Sequence, residues 1–107
     1  MRSDAVKYQL VLQWSLSPDR DFDFLVEIED LLIESLSNLH EVDGHDIGSG
    51  EGNVFILTNN PLMAFDEVKM ALKDSPLWSD LKVAYRGLQE NEYRILYPEG
   101  LTTFSIQ

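Results

Sequence analysis

Both histidines of this chain fall in one polar stretch, His40-Glu41-Val42-Asp43-Gly44-His45-Asp46-Ile47-Gly48-Ser49-Gly50-Glu51-Gly52-Asn53. Imidazoles beside carboxylates are the materials of a metal site or of acid–base chemistry. Alternation along a strand, however, predicts Glu41, Asp43 and His45 on one face and His40 with Asp46 on the other. A single histidine among carboxylates is a poor zinc ligand set, so no metal is expected. The glycines at 48, 50 and 52 lead into Val54-Phe55-Ile56-Leu57 rather than a helix, which a phosphate cradle would require. Ser49 lacks the spacing and the following helix of a nucleophile elbow. We therefore expect no catalytic residue and no cofactor, and His45 buried against Asp43 or the backbone. His45, Ser49 and Glu51 stay as a candidate functional hairpin.

The second chemical feature is charge. The chain has 107 residues and a net charge of -11, and residues 19–51 hold eleven acids against one base, Arg20. The remainder has eight acids and seven bases, an ordinary mixed surface. Such a balance opposes nucleic-acid binding, which needs Lys and Arg against phosphate. On a helical wheel Asp23, Glu27, Asp30 and Glu34 lie within about 60° of one another, opposite Phe22, Leu25, Ile28, Leu32, Leu36 and Leu39. These four acids, with Glu41, Asp43 and Asp46, are the expected contact residues for a basic protein partner.

The elements that must carry these groups follow from pattern. Residues 6–14 read as a strand, and Ser17-Pro18-Asp19 as the start of a helix running to about Asn38. Glu41–Ile47 and Asn53–Asn59 read as strands joined by a glycine-rich loop. Asn60-Pro61 caps a second helix over 61–74, with Leu62, Phe65, Val68 and Leu72 inward. Leu81–Arg86 and Glu92–Tyr97 are further strands, and Leu101–Ile106 a candidate last one. This predicts one α+β domain over 1–107: a ferredoxin-like, two-layer β-α-β-β-α-β sandwich on an antiparallel sheet, with one or two strands added at its C-terminal end. The absence of cysteine suits a reducing compartment, and residues 1–7 show no apolar leader. With no long apolar run either, neither a membrane nor secretion is expected.

Asp43-Gly44-His45-Asp46 followed by Gly48-Ser49-Gly50-Glu51 and Asn53 resembles a segment of small acidic bacterial α+β proteins. The resemblance extends to Val83-Ala84-Tyr85-Arg86 and Tyr97-Pro98-Glu99-Gly100. It implies a bacterial, cytoplasmic protein and transfers no catalytic residue.

Three functions compete. The first is an acidic module of the immunity-protein or antitoxin type, inhibiting or regulating a basic partner as monomer or homodimer. The second is a dimeric ligand-sensing domain using a sheet face lined by Tyr85, Tyr93 and Tyr97 with Arg86 and Arg94. The third is an enzyme using His45, Asp43 and Asp46, which requires His45 in a cleft. Trp78 is read as closing the core over the second helix rather than as an exposed anchor.

Overall fold

The computed structural model describes residues 6–18 and 21–106, so Asp19 and Arg20 of the acidic region and the N-terminal segment 1–5 lie outside the described residues. The order of elements is β1 (Tyr8–Ser15), α1 (Phe22–Ser35), β2 (His40–Gly48), β3 (Glu51–Thr58), α2 (Pro61–Leu72), a 3-10 turn (Pro76–Trp78), β4 (Lys82–Gly87) and β5 (Arg94–Tyr97). The strands form one five-stranded antiparallel sheet in the order β2-β3-β1-β4-β5. The chain is thus α+β with two helices. The 3-10 turn before β4 and the fifth strand after it depart from a bare β-α-β-β-α-β order.

Period-two alternation decides which side of the sheet is dry. Leu10, Leu12 and Trp14 of β1, Val54 and Ile56 of β3 and Val83 of β4 pack with Leu25, Ile28 and Leu32 of α1 and Ala64, Val68 and Leu72 of α2. Both helices therefore cover the same face. Trp14 satisfies its indole N–H on the Leu77 carbonyl at 2.8 Å and meets Phe24 edge-on. Trp78 is half-buried, stacked on Phe65 of α2 and against Tyr97.

Several expected boundaries move for local reasons. α1 starts at Phe22, because Asp21 accepts from the Asp23 backbone N–H at 3.0 Å and acts as N-cap in place of Ser17. It stops at Ser35, where Leu36 turns extended, so Leu39 falls beyond the helix and is 66% exposed. Phe22, at the first helical position, is exposed as well. α2 is capped by Asn60, as its Asn-Pro pair predicts, but buries Pro61, Ala64, Val68 and Leu72 and leaves Leu62 in solvent.

The loop between β2 and β3 contracts to Ser49 and Gly50, both with positive φ (52° and 79°), and Gly48 faces Glu51 across it. Two positive φ angles match the right-handed twist of a two-residue hairpin, which lets both strands run to the turn. Segment 101–106 forms no strand. It lies on the side of the sheet away from the helices, where Gln13 of β1 donates to the Ser105 carbonyl at 3.0 Å and Phe104 packs on Tyr93.

Candidate functional site

The polar stretch does not fold as plain alternation predicts. The pairing of β2 with β3 slips between Val42 and Gly44, leaving Asp43 as an extra residue, and Gly44 takes a φ of 139° that a side chain would resist. The bulge changes the parity of everything after it. His40 lies opposite Thr58, Val42 opposite Ile56 and His45 opposite Val54. Both histidines consequently face the helices, and the expected grouping of Glu41, Asp43 and His45 does not form. Asp43 and Asp46 are exposed and make no hydrogen bond to His45 among the described residues.

Each histidine meets a glutamate from a different helix. His40, 6% exposed, has Nδ1 at 2.7 Å from Thr58 Oγ1 and Nε2 at 3.3 Å from Glu67 Oε2 of α2. Thr58 Oγ1 also accepts from the Asn60 backbone N–H at 2.9 Å, so its hydroxyl proton is free for His40 Nδ1. The consistent assignment has Thr58 donating to Nδ1 and Nε2–H donating to Glu67. Ser37, in the turn after α1, closes the network: its backbone N–H and its hydroxyl donate to Glu67 at 2.8 Å and 3.2 Å. The Ser37 N–H bond chiefly, followed by the electrostatic attraction of the neighbouring His40 ring and the side-chain bonds, holds the Glu67 carboxyl below its ordinary value, against the opposing effect of burial.

A hydroxyl, an imidazole and a carboxylate in a row invite comparison with a nucleophilic triad. Thr58 is 1% exposed, so in this structure its hydroxyl is covered from solvent. The network is a structural tie between the α1–β2 turn, β2, the end of β3 and α2.

His45 is the more open of the two. Its Nδ1 lies 2.7 Å from Glu29 Oε1 of α1, with side chains 22% and 15% exposed, and Phe22 packs edge-on against its ring. The expected partner, Asp43, is replaced by a helix residue far away in sequence. The wheel held the signal: Glu29 lies about 40° from Leu25, on the flank of the apolar stripe and well away from the other acids. His45 is also separated from its expected hairpin companions, since Ser49 and Glu51 line a cleft on the opposite side of the sheet. Among the described residues, no group of three or more His, Asp or Glu side chains is arranged to hold a metal.

Asp23, Glu27, Asp30 and Glu34 are all exposed along α1, as are Glu41, Asp43 and Asp46 on the edge strand β2. Among the described residues none of the seven forms an ion pair with Lys or Arg. Leu31 and Ile33, 39% and 62% exposed, flank the four helix acids on either side of the wheel.

The tyrosines do not line a free sheet face. Tyr85 and Tyr97 pack with the core under the helices, Tyr85 edge-on to Tyr8 and Tyr97 beside Phe65 and Trp78, while Tyr93 lies against Phe104. On the face away from the helices, Asn53, Gln13 and Lys82 are successive neighbours across β3, β1 and β4. Ser15 and Glu51 form the next pair toward the strand ends. Between Gln13 and Lys82 of this row, Glu51, the Ser49 turn and residues 103–105 lies a cleft of about 430 Å³ with a largely polar lining.

No protein-family model matches the chain, and no curated protein or solved structure matches it either. Among the described residues, no helix is long and apolar enough to cross a membrane.

Proposed function

We propose that the protein is a binding module that engages a basic protein partner through the outer side of α1 and the neighbouring edge strand β2, as an inhibitor or regulator of the immunity or antitoxin type. The observation that carries this reading is the division among the acids of α1. Glu29 is turned inward and held by His45, whereas Asp23, Glu27, Asp30 and Glu34 stand in solvent without a basic partner among the described residues. Acids at i, i+4 repel within a helix, and a cationic surface would relieve that repulsion while steering the encounter. Exposed Leu31 and Ile33 beside them supply apolar contact, which charge alone does not provide. We also read the architecture as a ferredoxin-like sandwich extended by one strand, and the source as a bacterial cytoplasm, in line with the resemblance of residues 43–53.

The test uses a basic protein encoded next to this chain, mixed with it and resolved by size exclusion at about 50 mM and about 500 mM salt. A complex at low salt that weakens at high salt, and is lost on combining Asp23→Asn, Glu27→Gln, Asp30→Asn and Glu34→Gln, supports the reading. No complex at low salt, or one indifferent to the four amides, overturns it. The cleft on the opposite face favours a second reading, small-ligand binding.

A further inference from the structure

The cleft away from the helices has two properties that a solvated groove does not need. The first is a pair of buried amides with unspent valence. Gln13 and Asn53 are 3% and 1% exposed. Gln13 Nε2 uses its two protons on Asn53 Oδ1 and the Ser105 carbonyl, each at 3.0 Å. Gln13 Oε1 and the protons of Asn53 Nδ2 meet no partner among the described residues, although buried polar atoms are ordinarily satisfied. Gln13 lines the cleft directly.

The second property is a split of charge. Glu51, on β3, and Lys82, on β4, line the same cleft with β1 between them. Both are half-buried, and among the described residues neither takes part in an ion pair. A carboxylate on one side, an ammonium on the other and the Gln13 amide acceptor between them form a dipolar receptor. A phosphate would meet Glu51 unfavourably, a metal ion would meet Lys82 unfavourably, and a polyol would leave both charges unanswered.

We propose that this cleft binds a small zwitterion of the amino-acid class, with its ammonium toward Glu51 and its carboxylate toward Lys82. Gln13 Oε1 completes the polar contacts, and Asn53, bonded to Gln13 Nε2, holds that amide from behind. The Ser105 carbonyl fixes the Gln13 amide, so the 101–106 segment orients the receptor. This site is independent of the acidic side of α1.

The experiment is a nuclear magnetic resonance titration of the ¹⁵N-labelled full chain with each common free amino acid in turn, following the side-chain amide signals of Gln13 and Asn53. At least one is expected to shift both signals saturably, with a dissociation constant of about 1 mM or tighter. Its N-acetyl derivative and its decarboxylated amine should each bind at least about tenfold more weakly, as should the original ligand to Lys82→Met and Glu51→Gln. Both substitutions are at half-buried positions, and an unchanged amide spectrum elsewhere certifies the fold. The proposal is overturned if no amino acid saturates by about 50 mM, if the N-acetyl form binds equally well, if glycerol produces the same shifts, or if both variants bind unchanged.

Discussion

The two faces of the sheet are built from the same strands and differ in almost everything else. Toward the helices, alternate residues of β1, β3 and β4 are Leu, Trp, Val and Ile, sealed by two helices whose inner stripes are apolar. Away from them, a single segment without regular structure crosses the strands, and Val11 and Ala84 are buried beside a row of amides and charges. A β1 strand buried on both sides, Leu10 to Trp14, sits between them. The comparison teaches that one face holds the fold together and the other can hold polar groups in fixed positions, because the first supplies the stability.

That contrast can be broken by substitution. Leu12→Ala, in the helix-covered core, should lower stability by about 2–5 kcal/mol in a denaturant melt, whereas Phe104→Ala on the crossing segment should cost well under half as much. Equal losses would show that both faces carry the fold. Gly52 is the next weak point, since a Cβ there would meet Leu25 Cδ1 at 2.9 Å and Leu16 Cδ2 at 3.0 Å. Gly52→Ala forces those side chains aside and is expected to cost about 1–3 kcal/mol, read as a lower midpoint at unchanged slope.

The polar tie inside the apolar face gives a smaller, pH-dependent effect. The folded-state carboxyl of Glu67 is held below the ordinary carboxylate value, so its contribution is complete above that ordinary value and disappears as pH falls through the lowered one. Glu67→Gln should therefore destabilise the protein near neutrality by about 1–2 kcal/mol and flatten the acid limb of the stability profile. A variant that keeps the full acid dependence would place that dependence elsewhere. Smallest of all, the four amides on α1 should leave the melting temperature unchanged or slightly raised, because the acids there repel one another and support nothing inside. A marked fall would mean that they help to hold the fold.

Local signals made the strands, the two helices and the Asn60 cap legible in the sequence, since period two, period 3.6 and an Asn-Pro pair act within a few residues. The acidic stripe was equally plain, because a wheel needs nothing beyond the helix itself. The histidine sites were not, for reasons that can be named. One extra residue at Asp43 cancels the alternation by which His40 and His45 would part. Their partners, Glu67 and Glu29, come from helices whose docking no short window encodes. The Gln13–Asn53–Lys82 row depends on register across three strands, so each residue alone read as ordinary strand polarity. Residues 101–106 have a strand-like pattern but no strand to pair with, and serve as a cover instead.

The irregularity in β2 has an evolutionary edge to it. Deleting Asp43 would remove the bulge and leave the pairs on either side of it as they are, Val42 with Ile56 and Gly44 with Phe55, so His45 would keep its place opposite Val54 and beside Glu29. A lineage that lost this one codon would straighten the ribbon without turning either histidine over, so the loss of Asp43 should be tolerated about as well as its substitution.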